Sequence, residues 1–240
     1  MGKDKIKRFQ ENETFDCMVQ PLFEDIFGKD HFLKGRWRED FFKNNNPIVL
    51  ELGCGRGEYT IGLAKMNCMR NYIGIDVKGA RMWRGGRTAT DEEMKNVAFI
   101  RTRIEFINSF FAKDEIDEIW ITFPDPQLKK NRVKKRLTGA EFLTMYSKFL
   151  SPEGTVNLKT DSQHLHLYTR EVIKVNELRE LVANNNIYAT TSEVPSEVTA
   201  LKTTYEARYL AEGKPITYLK FQLKQDFTYI SPDFAADDEL

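Results

Sequence analysis

The chain has 240 residues, carries 36 basic against 36 acidic side chains for a net charge of zero, and is 41% hydrophobic. That length and composition suit an α/β domain with a sizeable core and exclude a disordered chain. No apolar run nears the roughly 18 residues of a membrane-spanning helix, and bulk charge announces no nucleic-acid partner, so any such partner must meet a local basic surface.

Residues 1–20 open polar and basic, with Lys3, Lys5, Lys7 and Arg8. They either fray or form an arm that orders on phosphate. The opening lacks the apolar core of a signal peptide, so a cytoplasmic location is expected. Cys17, Cys54 and Cys68 show no C-x-x-C spacing, which fits a reducing compartment and argues against a structural zinc. Residues 21–46 mix six aromatics with charge and predict a leading helix or two. Asn44-Asn45-Asn46-Pro47 then breaks the chain.

Ile48, Val49, Leu50 and Leu52 form an apolar run suited to a buried parallel strand. Gly53-Cys54-Gly55-Arg56-Gly57 follows at once, and a helical pattern carries Ile61, Leu63, Ala64 and Met66. Strand, glycine turn and helix together aim backbone N–H groups at a ligand, and the glycines let it come close. The spacing is G-x-G-x-G, not the G-x-G-x-x-G of dinucleotide binders. Glu51 sits at the strand end. A second strand, 72–75, ends at Asp76, where a carboxylate can accept both ribose hydroxyls of a nucleoside.

The pattern then predicts a helix over 78–94 weakly interrupted at Gly85-Gly86, a strand over 97–100, a short helix over 104–111 and a strand over 116–123. A helix over 138–150, a turn over 151–154, a strand over 155–158 and a helix over 166–181 follow. Strands over 187–190 and 216–223 close the pattern before an acidic tail, DFAADDEL. Repeated βα units imply a mostly parallel twisted sheet with helices on both faces. The reading is one domain over 1–240, with an N-terminal extension (1–46) and the short tail. Ligands in such sheets bind beyond the carboxyl ends of the strands. The polar groups expected there are Glu51, Asp76, Arg103, Asp125 and Asp161.

Pro124-Asp125-Pro126 holds one carboxylate between two prolines that fix φ on either side. Lys129, Lys130, Arg132, Lys134, Lys135 and Arg136 follow within eight residues. A run of that kind beside a reaction site suits a polyanion, whose phosphates release counterions when neutralised. In Thr203-Thr204-Tyr205-Glu206 the glutamate either accepts hydrogen bonds from a base edge or caps a helix turn.

ELGCGRG, the Asp76 strand end, FPDP with its basic run, K-T-D at 159–161 and T-x-Y-E at 203–206 occur in one order. In that order, over about residues 47–221, the chain resembles the bacterial tRNA (guanine-N7-)-methyltransferase family. The resemblance implies a Rossmann-like class I methyltransferase fold, S-adenosylmethionine as cofactor, and methylation of guanosine 46 in the variable loop of tRNA. Residue by residue it implies cofactor contacts at Glu51, Gly53, Gly55, Asp76 and Asp125, with Asp125 also the catalytic residue. Arg103 is counted with these cofactor contacts, although it stands where the family usually has aspartate. Lys129, Asp161, Thr203, Thr204, Tyr205 and Glu206 match substrate-binding positions, and the remaining cations are expected on the tRNA backbone. Gln127-Leu128 departs from the family's usual Trp followed by a short residue.

The competing readings are another RNA methyltransferase, a nicotinamide-dependent oxidoreductase and a non-catalytic RNA-binding relic. No metal is expected, since His31, His164 and His166 are the only histidines and lack ligand spacing. No membrane partner is expected, and the protein is read as a monomer or homodimer.

Overall fold

The computed structural model describes residues 3–234; residues 235–240 of the expected acidic tail lie outside them. The chain divides into two compact units, Met1–Ile116 and Asp117–Leu240.

The first unit runs α1 (Lys3–Asn12), β1 (Met18–Val19), α2 (Phe23–Ile26), a π-helical turn (Trp37–Phe42), β2 (Ile48–Leu52) and α3 (Glu58–Met66). It continues with β3 (Asn71–Asp76), α4 (Gly79–Asp91), β4 (Val97–Arg101) and a 3-10 turn (Ile104–Ser109). Its strands lie in the order β1-β4-β3-β2, all parallel. Every residue of β2 is buried, as are the first five of β3. That burial on both faces is why these strands read as continuous apolar runs rather than alternating ones. The register sets Glu51 beside Gly74 and Asp76 beside Arg101, so the strand ends come out in line.

One open choice narrows here and one expectation changes. Of the two alternatives for residues 1–20, fraying does not describe the segment from Lys3 on, which is packed. The Asn12 amide donates to the Gly79 carbonyl at 2.9 Å, the Trp83 indole N–H donates to Glu11 at 2.6 Å, and Arg8 lies 4.9 Å over the Trp83 ring. Nor do Gly85 and Gly86 interrupt α4. A Cβ at Gly86 would meet Met18 at 2.8 Å, and one at Gly85 would meet Phe99 at 2.5 Å, so these glycines let neighbours approach a continuous helix. Residues 21–46 give only short turns of helix. Their anchor is Trp37, fully buried, whose indole N–H donates to the Phe110 carbonyl at 2.9 Å.

β5 (Ile116–Thr122) leads into the second unit. A 3-10 turn (Lys130–Lys135), α5 (Ala140–Tyr146), β6 (Leu150–Thr160), α6 (Gln163–Val175) and β7 (Glu180–Asn184) follow. α7 (Ser196–Ala200), α8 (Thr204–Ala211) and β8 (Thr217–Gln222) complete it. The order is β5-β6-β8-β7, with β8 antiparallel to both neighbours. The chain is thus α/β and mostly parallel, as expected, with an antiparallel β6-β8-β7 margin.

The strand expected over 187–190 is a turn. The backbone N–H groups of Asn186 and Tyr188 donate to the side-chain oxygens of Asn184 and Asn186, which bends the chain. The strand instead lies at Glu180–Asn184, and α6 ends at Val175, six residues before the expected end.

Candidate active site

In the first unit, β2 exits into a turn whose Gly53, Gly55 and Gly57 all have positive φ, a region that costs glycine little. The N–H groups of Gly53 and Cys54 both donate to the Ile75 carbonyl, which ties the turn to the end of β3. Asp76 caps that strand. Its carboxylate accepts the Gly55 N–H at 2.9 Å on one oxygen and the Lys78 N–H at 2.8 Å on the other. A carboxylate offers about four lone-pair sites. Asp76 is half-buried and two sites are spoken for, so it keeps room for a pair of hydroxyls. A Cβ at Gly53 would meet nothing within 4 Å. An open, glycine-lined turn beside a partly free carboxylate fits a nucleoside-type group.

Glu51 serves differently from Asp76. It is buried, and one carboxylate oxygen accepts both the backbone N–H of Thr60, at 2.8 Å, and the Thr60 hydroxyl. It braces the turn onto the first turn of α3. Cys54 is buried; that burial, with the charges of Glu51 and Asp76 adding to it, pushes its thiol well above the usual range. A thiol so held is protonated and inert. Arg103 is exposed just past β4, its guanidinium 3.4 Å from Glu105.

In the second unit, β5 exits through Phe123, which sits at φ 47. Its N–H donates to the Lys159 carbonyl of β6 at 2.8 Å. A left-handed phenylalanine costs of order 1 kcal/mol or more and persists only where its surroundings impose it. Asp125 follows, exposed, with Oδ1 accepting the Gln127 N–H at 3.1 Å. Asp161 stands just beyond β6. Phe123 packs 5.9 Å from the Tyr209 ring, and burial followed by the Asp161 charge raises the Tyr209 hydroxyl pKa. Tyr209 carried no sequence signal; it lies one helical turn past Tyr205.

Lys129, Lys130, Arg132, Lys134 and Lys135 are exposed, Lys134 standing 3.6 Å from Glu141. Arg136 departs from the expectation of a backbone contact. It is buried, donates to the carbonyls of Pro126 and Gln127 at 3.1 and 3.2 Å, lies 2.8 Å from His164 Nε2, and stacks 4.2 Å over Tyr168. It holds the Asp125 turn from behind. The two options for Glu206 also separate. It closes a capping box with Thr203 at the start of α8 and is fully buried against Lys159, while Thr204 and Tyr205 are exposed. Lys159 enters the sequence reading only as the first residue of the K-T-D motif, with no role assigned; what marks it further is a charge inside an otherwise buried stretch of β6. Among the described residues, no cluster of three or more His, Cys, Asp or Glu is placed to hold a metal. No described helix is long and apolar enough to cross a membrane.

A parallel α/β core with a glycine turn, a strand-end acid and a proline-framed carboxylate defines a Rossmann-like methyltransferase. A family model described as "Putative methyltransferase" matches residues 45–219. The chain is similar in fold to an antibiotic-related methyltransferase (17% identity, TM-score 0.57, covering 80% of this chain and 95% of that one). It is also similar to a SAM-dependent methyltransferase from Aquifex aeolicus (13%, 0.51, 74% and 82%). Closer in sequence are curated relatives named tRNA (guanine-N(7)-)-methyltransferase. That of Christiangramia forsetii is 51% identical over 93% of this chain and 99% of its own. That of Bacteroides thetaiotaomicron is 42% identical over 97% and 91%. The chain belongs to the tRNA (guanine-N7-)-methyltransferase family.

Proposed function

We propose that this protein transfers a methyl group from S-adenosylmethionine to N7 of guanosine 46 in the variable loop of tRNA. The observation that carries the reading is 51% identity, over nearly the full length of both chains, to a relative of that name. When bound, the cofactor supplies an electrophilic sulfonium methyl. Asp76 would hold its ribose hydroxyls, and Gly53 and Gly55 would give its amino-acid end close access to backbone, with Glu51 keeping the turn in shape. Arg103, exposed beyond β4, would be a peripheral cofactor contact.

Guanine N7 has a free lone pair and no proton, so nothing need deprotonate the nucleophile. The chain's task is to orient the base and exclude water; alignment alone is worth at most about 7–11 kcal/mol. The product base carries positive charge. Asp125, held between two prolines, can stabilise that charge as it develops and hold the guanine edge. Asp161, Thr203, Thr204, Tyr205 and Lys129 would frame the nucleotide. Lys130, Arg132, Lys134 and Lys135 would neutralise tRNA phosphates. A tRNA substrate fits a working location in the cytoplasm.

The test is to incubate unmodified tRNA transcript with methyl-labelled S-adenosylmethionine and map the label. Label at N7 of guanosine 46 is expected; binding without incorporation would instead favour a non-catalytic RNA-binding protein. A nicotinamide enzyme would be protected from thermal unfolding by NADH rather than by S-adenosylmethionine.

A further inference from the structure

Lys159 and Glu206 are separated by 47 residues in sequence and are both fully buried. Lys159 Nζ lies 2.7 Å from Glu206 Oε1 and 2.8 Å from Oε2. The same ammonium donates to the carbonyls of Val198 at 2.6 Å and Leu201 at 3.0 Å. An ammonium has three donors, and all three have acceptors here. On the other side, Glu206 Oε1 accepts the Tyr188 hydroxyl at 2.7 Å, and Oε2 faces the Thr203 N–H at 3.4 Å. The Glu206 N–H in turn donates to the Thr203 hydroxyl.

A buried ion pair is weak evidence for stability, because desolvation of both charges offsets their attraction. Its better-attested use is to fix one arrangement among several. What this pair fixes is legible from its neighbours. Val198 and Leu201 lead directly into Thr203, Thr204 and Tyr205. The carbonyl of the same Lys159 receives the N–H of Phe123, whose left-handed backbone launches Pro124 and Asp125. One residue therefore holds the T-x-Y-E segment with its side chain and the Asp125 exit with its main chain. Asp161, two positions on, shares the strand end.

We infer that Lys159 and Glu206 form a buried positioning pair that holds the Thr203–Tyr205 segment and the Asp125 turn in one arrangement for the acceptor nucleotide, Glu206 acting through Lys159 and not on the base. This rests on the guanine-methylation reading. It takes Glu206 out of the substrate contacts that its motif suggests and leaves Thr204 and Tyr205, which are exposed, to meet the nucleotide.

A double-mutant cycle tests it, using tRNA transcript and S-adenosylmethionine with Lys159→Met, Glu206→Gln and the pair combined. Displacing reacting groups by about 1 Å costs on the order of 100-fold. Each single variant should therefore lower kcat and raise KM for tRNA by about tenfold or more, with cofactor affinity unchanged. The double variant should be no worse than the poorer single, because the two residues act as a unit. Lys159→Arg, which keeps the charge, should recover part of the loss. Tyr188→Phe removes one hydrogen bond from Glu206 and leaves the ion pair. It should move kcat and KM in the same direction by a few-fold, and it decides the matter if the buried variants do not fold.

Additive losses, or a Glu206→Gln defect far exceeding that of Lys159→Met, would place Glu206 on the base and overturn the inference. So would wild-type kinetics in the folded variants or in Tyr188→Phe. A wild-type protein that leaves guanine N7 unmethylated fails the functional reading itself, and that is seen before any variant is compared.

Discussion

The glycine turn of the first unit and the proline-framed exit of the second are both strand-end turns that carry a carboxylate. They are held by different means. Asp76 is gripped by backbone N–H groups 21 and 2 residues away, and Glu51 grips Thr60 nine residues on. The Asp125 turn has one short-range bond of its own among the described residues, from Gln127. The rest of its support arrives from Arg136, through the carbonyls of Pro126 and Gln127, and from Lys159, through the N–H of Phe123. A turn made by glycine dihedrals needs little from outside. A turn forced through a left-handed phenylalanine needs clamps. Damage in the first unit should therefore stay with the cofactor, while damage in the second should reach Asp125 from residues that touch no substrate.

The sharpest way to break this contrast is Asp125→Asn. Losing an electrostatic stabiliser of developing charge should cut kcat on the order of 100-fold or more at saturating cofactor and tRNA; equal turnover at saturating substrates would remove Asp125 from the chemistry. Asp76→Ala should do the converse. Hydrogen bonds to a charged group are worth about 1.5–3 kcal/mol, so the dissociation constant for S-adenosylmethionine, read by calorimetry, should rise roughly 10- to 100-fold while KM for tRNA holds.

Arg136 separates clamp from phosphate partner within one run of cations. Arg136→Met should lower kcat by about tenfold through misplacement of the turn and leave the salt dependence of tRNA binding alone. Replacing Lys130, Arg132 and Lys135 by glutamine should instead weaken binding and reduce the salt slope by about one unit for each phosphate that is no longer neutralised. If Arg136→Met flattened the slope, its buried position would not survive tRNA binding.

The smallest effect concerns His166, buried on α6 in the second unit. Burial, with the charge of Arg170 adding to it, pushes its pKa down from 6.5 to about 4. Above pH 6.5 neither folded nor unfolded chain protonates it. Between 6.5 and 4 chiefly the unfolded chain does, so stability falls as pH drops through that window, by about 1 kcal/mol at pH 5.5. Thermal melts at pH 7.5 and 5.5 should show the loss, and His166→Leu should shrink it.

Much of the first unit is legible in the residues alone. β2, β3 and β4 announce themselves because strands buried on both faces must be apolar throughout, and the turn because only glycine accepts those dihedrals freely. The second unit is less so. β7 is mostly exposed, with no apolar alternation to read, whereas buried Ile187 nearby draws the expected strand into what is a turn of asparagines. Among six cations at 129–136, nothing in the sequence marks Arg136 as the one that turns inward beneath the Asp125 turn. T-x-Y-E leaves Glu206 divided between a base edge and a cap, and the structure adds a third partner, Lys159, which lies 47 residues away in the K-T-D motif and which no local pattern pairs with it.

The sequence by itself determined the α/β class, the glycine turn, the strand-end acid and the proline-framed carboxylate, since each is a local pattern whose cause lies within a few residues. Only the tertiary structure decided which charges face inward. A lysine or arginine has the same side chain whether solvated or buried, and what separates the two is the set of carbonyls and carboxylates that distant parts of the chain bring to meet it.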